Sequence, residues 1–258
     1  SSTVKGEHAD ADFIINDILP VLKKSGVMEI VIGGGEPTIH PRFLDILKAA
    51  KEMKFKIGFT TKNYNLHKHP NIEQILDNTH SIALSINELS DVEEVQNFLY
   101  EISIGKERTT RQNPTIYAQL ILGLKPWEET FELVKVLTQK RENFKSFYNI
   151  TFLGLKRFGF GVNYTNTIED DKWIFDIKNL AKDLYFNVGI DSILASKYKH
   201  ELVNHHQISY NRLTGAEGKQ TCYIDAVDKK ISASSFTKKV KDFNHVTVEN
   251  FLNLYSTF

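Results

Sequence analysis

Cysteine is nearly absent from this sequence of 258 residues, in which Cys222 is the only one. A single thiol excludes an intramolecular disulfide framework, and this scarcity favours a cytoplasmic protein. No apolar run approaches the ~20 residues that a membrane span needs. The N-terminal residues also lack the basic and apolar regions of a signal peptide. We therefore expect a cytoplasmic protein without a membrane segment.

Excess charge of either sign is absent too, because 32 Lys and Arg residues balance 32 Asp and Glu residues. No global positive field attracts nucleic acid, although the balance of charges does not exclude a local basic patch. Hydrophobic residues make up 41% of the chain, which is ordinary for a globular protein. The length fits one large domain, or one domain with a small appendage.

Short apolar runs alternate with segments of helical periodicity, which predicts a parallel α/β fold with right-handed crossovers. Helices are expected near residues 9–24, 41–53, 71–77, 92–102, 127–137 and 173–184. Pro20 is expected to kink the first of them. The expected strands are Met28–Ile32 (a buried strand), Phe55–Thr60, Ser81–Ile86, Thr115–Leu122, Tyr148–Leu155 and Phe186–Ile190.

No strand pattern precedes the first helix, although a parallel α/β unit normally opens with a strand. We therefore expect a partial (β/α)6 TIM-like barrel with parallel strands over residues 1–195, its first strand missing. Residues 196–258 are expected to form a small C-terminal extension. In it, residues 196–221 are predicted to be irregular, Cys222–Phe236 a hairpin, and Val246–Leu254 a terminal helix.

A glycine-rich loop, Gly33-Gly34-Gly35-Glu36-Pro37-Thr38-Ile39-His40-Pro41, follows the first predicted strand. Ligands bind at this end of parallel strands, and glycines let a backbone approach them closely. A tight strand-to-helix turn explains the triplet equally well. Phosphate binding is disfavoured, because Glu36 would repel the anion and no Gly-Lys-Ser/Thr follows.

The longer phrase Val-Met-Glu-Ile-Val-Ile-Gly-Gly-Gly-Glu-Pro-Thr-Ile-His-Pro resembles the second strand and Gly-Gly-Glu-Pro motif of radical S-adenosylmethionine (SAM) enzymes. The resemblance covers about residues 9–191. It implies that Gly34, Gly35, Glu36 and Pro37 surround the methionine end of SAM. It also implies reductive cleavage of SAM at a [4Fe-4S] cluster, giving a 5′-deoxyadenosyl radical that abstracts hydrogen from a substrate.

Four later strand ends resemble family elements more weakly. A helix cap also explains Asn87, an ordinary strand-to-helix turn explains Gly123, and a solvated basic loop explains Arg157. The resemblance places Thr61, Ser85, Asn87, Gly123 and Arg157 around SAM, with Lys156 an alternative to Arg157 as a carboxylate partner. Glu128 and Glu129 follow Gly123 at a longer spacing than the family motif has. Asp191 is expected either to face the substrate or to cap the next helix.

The three-cysteine loop CxxxCxxC that holds the cluster in this family is not in the sequence. The resemblance places that loop after the first strand, so we expect the ligands upstream of Ser1. A chain that lost its cluster and kept the scaffold is the alternative. Cys222 is interpreted as a buried structural thiol, and His205 and His206 as solvated side chains rather than metal ligands.

The sequence therefore predicts a radical SAM enzyme with a peptide or protein substrate and a reductant such as flavodoxin or ferredoxin. A non-catalytic partial barrel that binds a nucleotide-like ligand or a protein partner is the main alternative. An unrelated barrel enzyme that uses Glu36 as general base is the third.

Overall fold

The computed structural model describes residues 7–104, 114–139, 148–156, 168, 171–176, 188–206 and 218–258. In this part of the chain, six strands form one parallel sheet in the order of the sequence, and the sheet formed by them does not close on itself. The prediction of an α/β partial TIM-like barrel is confirmed. The strands are β1 (Glu29–Ile32), β2 (Lys56–Thr61), β3 (Ser81–Ile86), β4 (Thr115–Leu122), β5 (Tyr148–Gly154) and β6 (Val188–Ile190).

Helices follow the strands, as parallel connections require. They are α1 (Leu19–Lys24), α2 (Phe43–Glu52), α3 (Ile72–Asp77), α4 (Leu89–Ile104), α5 (Trp127–Gln139), α6 (Ser192–Lys197), α7 (Lys199–His206) and α8 (Val248–Tyr255). Residues 172–176 are also helical, and the rest of the helix predicted over 173–184 lies outside the described residues. Within the described part of the chain, no helix has the length and apolar character needed to cross a bilayer.

The two faces of the central strands differ in burial, which creates the space for a site. On one face of β4, Ile116, Ala118 and Leu120 are buried in the main apolar core. On the other face, alternate residues such as Tyr117 and Gln119 are only half-buried. Because side chains alternate across a strand, the second face lines the concave side of the sheet, which stays accessible.

Among the described strands, β1 lies at the edge of the sheet, so the prediction of a buried strand at Met28–Ile32 is wrong. Within the described residues, β1 pairs with β2 on one side only. The exposed fractions of Met28 and Val31 are 78% and 64%. An apolar run carries no information on which strand has a neighbour on both sides.

The helix predicted over residues 9–24 changes character in its middle. A π-helical segment, Phe13–Ile18, leads into α1, in which Pro20 lies at the start. Leu19 donates its backbone N–H to the carbonyl of Ile14, five residues earlier. The proline ring would clash with the carbonyl four residues before it, and a wider turn relieves that clash.

The C-terminal extension contains more regular structure than the sequence indicated. The predicted hairpin is present as β7 (Tyr223–Asp225) and β8 (Lys230–Ser232), and a third strand, β9 (Val240–Asp242), pairs with β8. The expectation of irregular structure over 196–221 is wrong for α7. The periodic apolar signal of α7 is weak because its sequence, Lys-His-Glu-Leu-Val-Asn-His-His, is mostly polar.

Candidate ligand-binding cleft

A cleft of about 520 Å³ opens at the C-terminal ends of the strands. Its size falls within the range of small-molecule sites. Its walls come from the strand ends on one side and from the loop after β8 on the other. Among the described residues it is lined by Gly33, Gly34, Gly35, Glu36, Thr60, Thr61, Lys62, Ser85, Gln119, Leu153, Lys156, Ser235 and Phe236.

The glycine triplet borders this cleft with bare backbone. Gly34 has a φ of +123°, a conformation that residues with a Cβ rarely adopt. A Cβ built at Gly33, Gly34 or Gly35 would meet no atom within 4 Å. Packing against protein therefore does not require glycine at these positions, although the φ of Gly34 favours it. The bare backbone leaves open space beside it that a ligand could occupy.

Glu36 joins the glycine loop to the end of β2. Its Oε1 accepts hydrogen bonds from the backbone N–H of Thr38 at 3.1 Å, the Thr38 hydroxyl at 2.6 Å and the Thr61 hydroxyl at 2.7 Å. Its Oε2 accepts from the backbone N–H of Lys62 at 2.9 Å. With four protein donors on the carboxylate, Glu36 fixes the loop, and its use as a general base is disfavoured.

Hydrogen bonds and an ion pair connect the residues after β2 with the end of β3 and the start of the next helix. Lys62 Nζ lies 3.3 Å from Asp91 Oδ1, and Asp91 Oδ2 accepts the backbone N–H groups of Asn87 and Glu88. The Tyr64 hydroxyl donates to the Ser85 carbonyl. Burial, followed by the charge of Asp91, raises the pKa of Tyr64 well above its usual range. Tyr64 thus acts as a neutral donor that fixes the end of β3.

Polar side chains on neighbouring strands face the centre of the cleft. Ser85 on β3 and Gln119 on β4 are register partners, and both are half-buried. Neighbouring strands are about 4.8 Å apart, so the two side chains offer donors and acceptors to the same small ligand. Such a pair suits hydroxyl, carboxylate or ring-nitrogen groups.

The far wall joins the sheet to the C-terminal extension. Lys156, just after β5, places Nζ 4.6 Å from the centroid of the Phe236 ring and 3.9 Å from Asp191 Oδ2. Asp191 caps α6, because its Oδ1 accepts the backbone N–H of Leu194 at 3.0 Å. The capping alternative predicted for Asp191 is therefore present, and its side chain also neighbours a cation that lines the cleft.

The structure brings together five of the nine residues that the sequence placed around a cofactor. Gly34, Gly35, Glu36, Thr61 and Ser85 line the cleft. Three others are not among the described lining residues, and the fourth lies outside the described part of the chain. Pro37 is buried in a short 3-10 turn, Asn87 contacts Asp91 through its backbone, Gly123 turns after β4 with a φ of +91°, and Arg157 lies outside the described residues.

Sequence reasoning missed Gln119, Leu153, Ser235 and Phe236 as cleft residues. Gln119 and Leu153 could have been found from the alternation of β4 and β5, since polar or mixed residues on one face indicate an accessible side. The alternation of a strand could not have indicated Ser235 and Phe236, because they line the cleft only when the extension folds back onto the sheet.

The remaining candidates lie away from the cleft lining. Glu128 pairs with Lys172 at 2.5 Å, and this contact lowers the pKa of Glu128. The His205 ring packs edge-on against Phe175. Cys222 is half-buried at the margin of the apolar core, and burial raises the pKa of its thiol to about 11. Among the described residues, no group of three His, Cys, Asp or Glu side chains could hold a metal ion.

No family model and no curated protein matches the sequence. Solved structures do match the fold. SuiB of Streptococcus suis has a TM-score of 0.64 at 18% identity, over 98% of this chain and 63% of that chain. SuiB bound to S-adenosylmethionine gives 0.61 at 15% identity, over 96% and 60%. SuiB bound to the precursor peptide SuiA gives 0.60 at 14%, over 96% and 59%.

The partial barrel expected from the resemblance of the glycine loop is therefore confirmed at the level of the fold. The chain spans about 60% of the length of the SuiB chains that it matches. At 14–18% identity, the likeness to these chains is one of fold.

Proposed function

We propose that this chain is the SAM-binding core of a radical SAM enzyme that acts on a peptide or protein. The observation that carries the proposal is the bare glycine backbone beside an open cleft at the C-terminal ends of parallel strands. The fold shared with a structure that holds S-adenosylmethionine supports it.

The residues of the cleft fit SAM chemically. Backbone carbonyls of the glycine loop suit the ammonium group of the methionyl end, with Glu36 adding negative charge behind the loop. Ser85 and Gln119 would bond the carboxylate and ribose hydroxyl groups. Because Gly33 and Gly35 have no neighbours within 4 Å of a Cβ, the cofactor would occupy the space that side chains leave free.

The residues of this chain do not fit an iron–sulfur cluster. Three thiolates are needed, and the 258 residues contain one cysteine. We propose that the ligands lie on a segment upstream of Ser1 in a longer protein. The edge of β1 has no partner strand among residues that the structure describes, and with the exposed side chains of Met28 and Val31 it would accept a further strand. Reductive SAM cleavage is accordingly proposed for the longer protein, in the cytoplasm, with flavodoxin or ferredoxin as reductant.

A peptide substrate is supported by two observations. The solved structure of SuiB with the precursor peptide SuiA shares this fold. The loop carrying Ser235 and Phe236 brings the extension into the lining of the cleft. We propose that the extension closes the mouth of the partial barrel over the substrate.

Equilibrium dialysis with labelled SAM tests cofactor binding by the 258-residue chain. We expect saturable binding with one site, and at least a tenfold loss of affinity in Gly35→Val, whose side chain fills the cradle without backbone strain. Thr115→Val, at the opposite end of β4, is the matched control and should bind normally. Folded protein that does not bind SAM at about 1 mM, or Gly35→Val with unchanged affinity, would contradict the proposal.

The cluster is tested separately, with the full reading frame reconstituted anaerobically with iron and sulfide. The longer protein should release 5′-deoxyadenosine from SAM in the presence of a reductant, and the 258-residue chain should not. Equal release by both would refute ligation by an upstream segment. Binding of SAM without cleavage by the longer protein would favour the non-catalytic alternative.

A further inference from the structure

We propose that Lys156 binds a carboxylate of the substrate, so that the enzyme selects acidic peptides. The inference rests on the proposed function and adds the substrate's chemistry to it. It starts from a cation on the cleft wall whose hydrogen-bonding capacity is not used by the described residues.

Lys156 is held in place by contacts that leave its N–H donors available. Its side chain is 36% exposed, and its Nζ lies 3.9 Å from Asp191 Oδ2, which is too far for a hydrogen bond. The Phe236 ring lies on another side of the ammonium at 4.6 Å, in a cation–π contact. The two contacts orient the group, and neither satisfies its donors.

Asp191 lies behind the lysine and is not part of the cleft lining. Its side chain is 12% exposed, and its Oδ2 is buried without a hydrogen-bond partner among the described residues. Its other oxygen caps the N-terminus of α6. A ligand in the cleft therefore contacts the lysine that lines it, whereas the aspartate is largely buried and outside the described lining.

The other charged groups that line the cleft are already engaged. The Glu36 carboxylate accepts four protein hydrogen bonds, and Lys62 pairs with Asp91 at 3.3 Å. Among the described lining residues, Lys156 is therefore the cation best able to receive an anionic group. Ser235, which precedes Phe236 in the same lining, adds a hydroxyl donor.

The carboxylate of SAM itself does not suit this position. The glycine loop follows β1 and Lys156 follows β5, four strand spacings away, which is about 19 Å along the sheet. Curvature shortens that separation, but the ammonium and carboxylate of SAM are bonded to the same carbon. With the ammonium at the glycines, the anion at Lys156 must come from a second molecule, which is the substrate.

Ligand-observed NMR titrations with short peptides test the inference. The probes are Ac-Gly-Glu-Gly-NH2, its neutral counterpart Ac-Gly-Gln-Gly-NH2, and Ac-Gly-Gln-Gly with a free carboxyl terminus. We expect the chain to bind a carboxylate probe about tenfold more tightly than the neutral one, both with and without SAM. The third probe distinguishes a side-chain carboxylate from a terminal one.

Variants assign the preference to the residue. Lys156→Gln should abolish it, Lys156→Arg should retain it, and Lys48→Gln, an exposed lysine on α2, should leave it unchanged. SAM affinity, measured by dialysis, should be unaffected in all three. A preference that survives in Lys156→Gln overturns the inference, as does a tenfold loss of SAM affinity in that variant, which would assign Lys156 to the cofactor. Failure of the unmodified chain to bind SAM would instead overturn the proposed function.

Discussion

Replacing Glu36 tests whether its carboxylate holds the glycine loop in place. Glu36→Gln keeps the shape but provides one acceptor oxygen instead of two. If that oxygen faces Thr38 and Thr61, the new amide NH2 faces the backbone N–H of Lys62, so two donors oppose each other. Losing one charge-assisted hydrogen bond at a half-buried site should lower the free energy of unfolding by about 1–2 kcal/mol.

Glu36→Ala should cost more, because it removes all four bonds. Thr38 and Thr61 are 7% and 2% exposed, so their donors would lack both the carboxylate and full hydration. Lys62 is exposed, and water would replace its lost partner. We therefore expect a loss of about 2–4 kcal/mol, with most of it at the two threonines.

Urea unfolding followed by circular dichroism measures both effects, with an unchanged m-value as evidence that the unfolded states are comparable. Glu52→Gln, at the exposed end of α2, is the matched control and should stay within about 0.5 kcal/mol of the unmodified chain. If Glu36→Gln and Glu52→Gln unfold at the same urea concentration, Glu36 does not hold the loop, and the reasoning from its four hydrogen bonds is wrong.

Two further predictions concern backbone conformation and thiol chemistry. Gly34→Ala should lower the free energy of unfolding by about 1–3 kcal/mol in urea titrations because Gly34 has a φ of +123°. Gly33→Ala, at a position with equal space and no positive φ, should change it by under about 0.5 kcal/mol. Equal effects of the two substitutions would contradict the strain argument. Burial raises the pKa of Cys222 from 9.0 to about 11, so iodoacetamide at pH 8 should alkylate the folded chain about 100-fold more slowly than the urea-unfolded chain. Since the pKa of Cys222 is higher in the folded chain, burial of the neutral thiol contributes stability that is complete below pH 9 and is lost as the pH rises through 11. Cys222→Ala should therefore flatten the decline of thermal stability at alkaline pH. Similar alkylation rates for the folded and unfolded chains, or an unchanged decline in the variant, would refute the burial effect.

The sequence predicted the positions of the strands well because their apolar runs are short and are bounded by glycine or polar residues. β3 and β4 have the predicted bounds, and the glycine loop has the predicted place at the end of β1. These features depend on local physics, since burial and backbone freedom are encoded within a few residues.

Features that depend on partners distant in the sequence were not predictable in the same way. β1 has the composition of an inner strand, yet its exposure is decided by what lies beside it. Some donors to Glu36 lie in the turn beside it, but Thr61 lies 25 residues away in the sequence. Phe236 lies about 80 residues from Lys156, whose ammonium it contacts. The pattern within a few residues does not indicate which distant segments they will contact.

The cleft has a consequence for how the chain unfolds, because its two walls come from different segments. Lys156 belongs to the sheet, and Ser235 and Phe236 belong to the extension. A small molecule that touches both walls binds only when both are assembled, so its binding free energy would be added to the docking of one segment on the other. Saturating ligand should therefore merge separate melting steps into a single cooperative one.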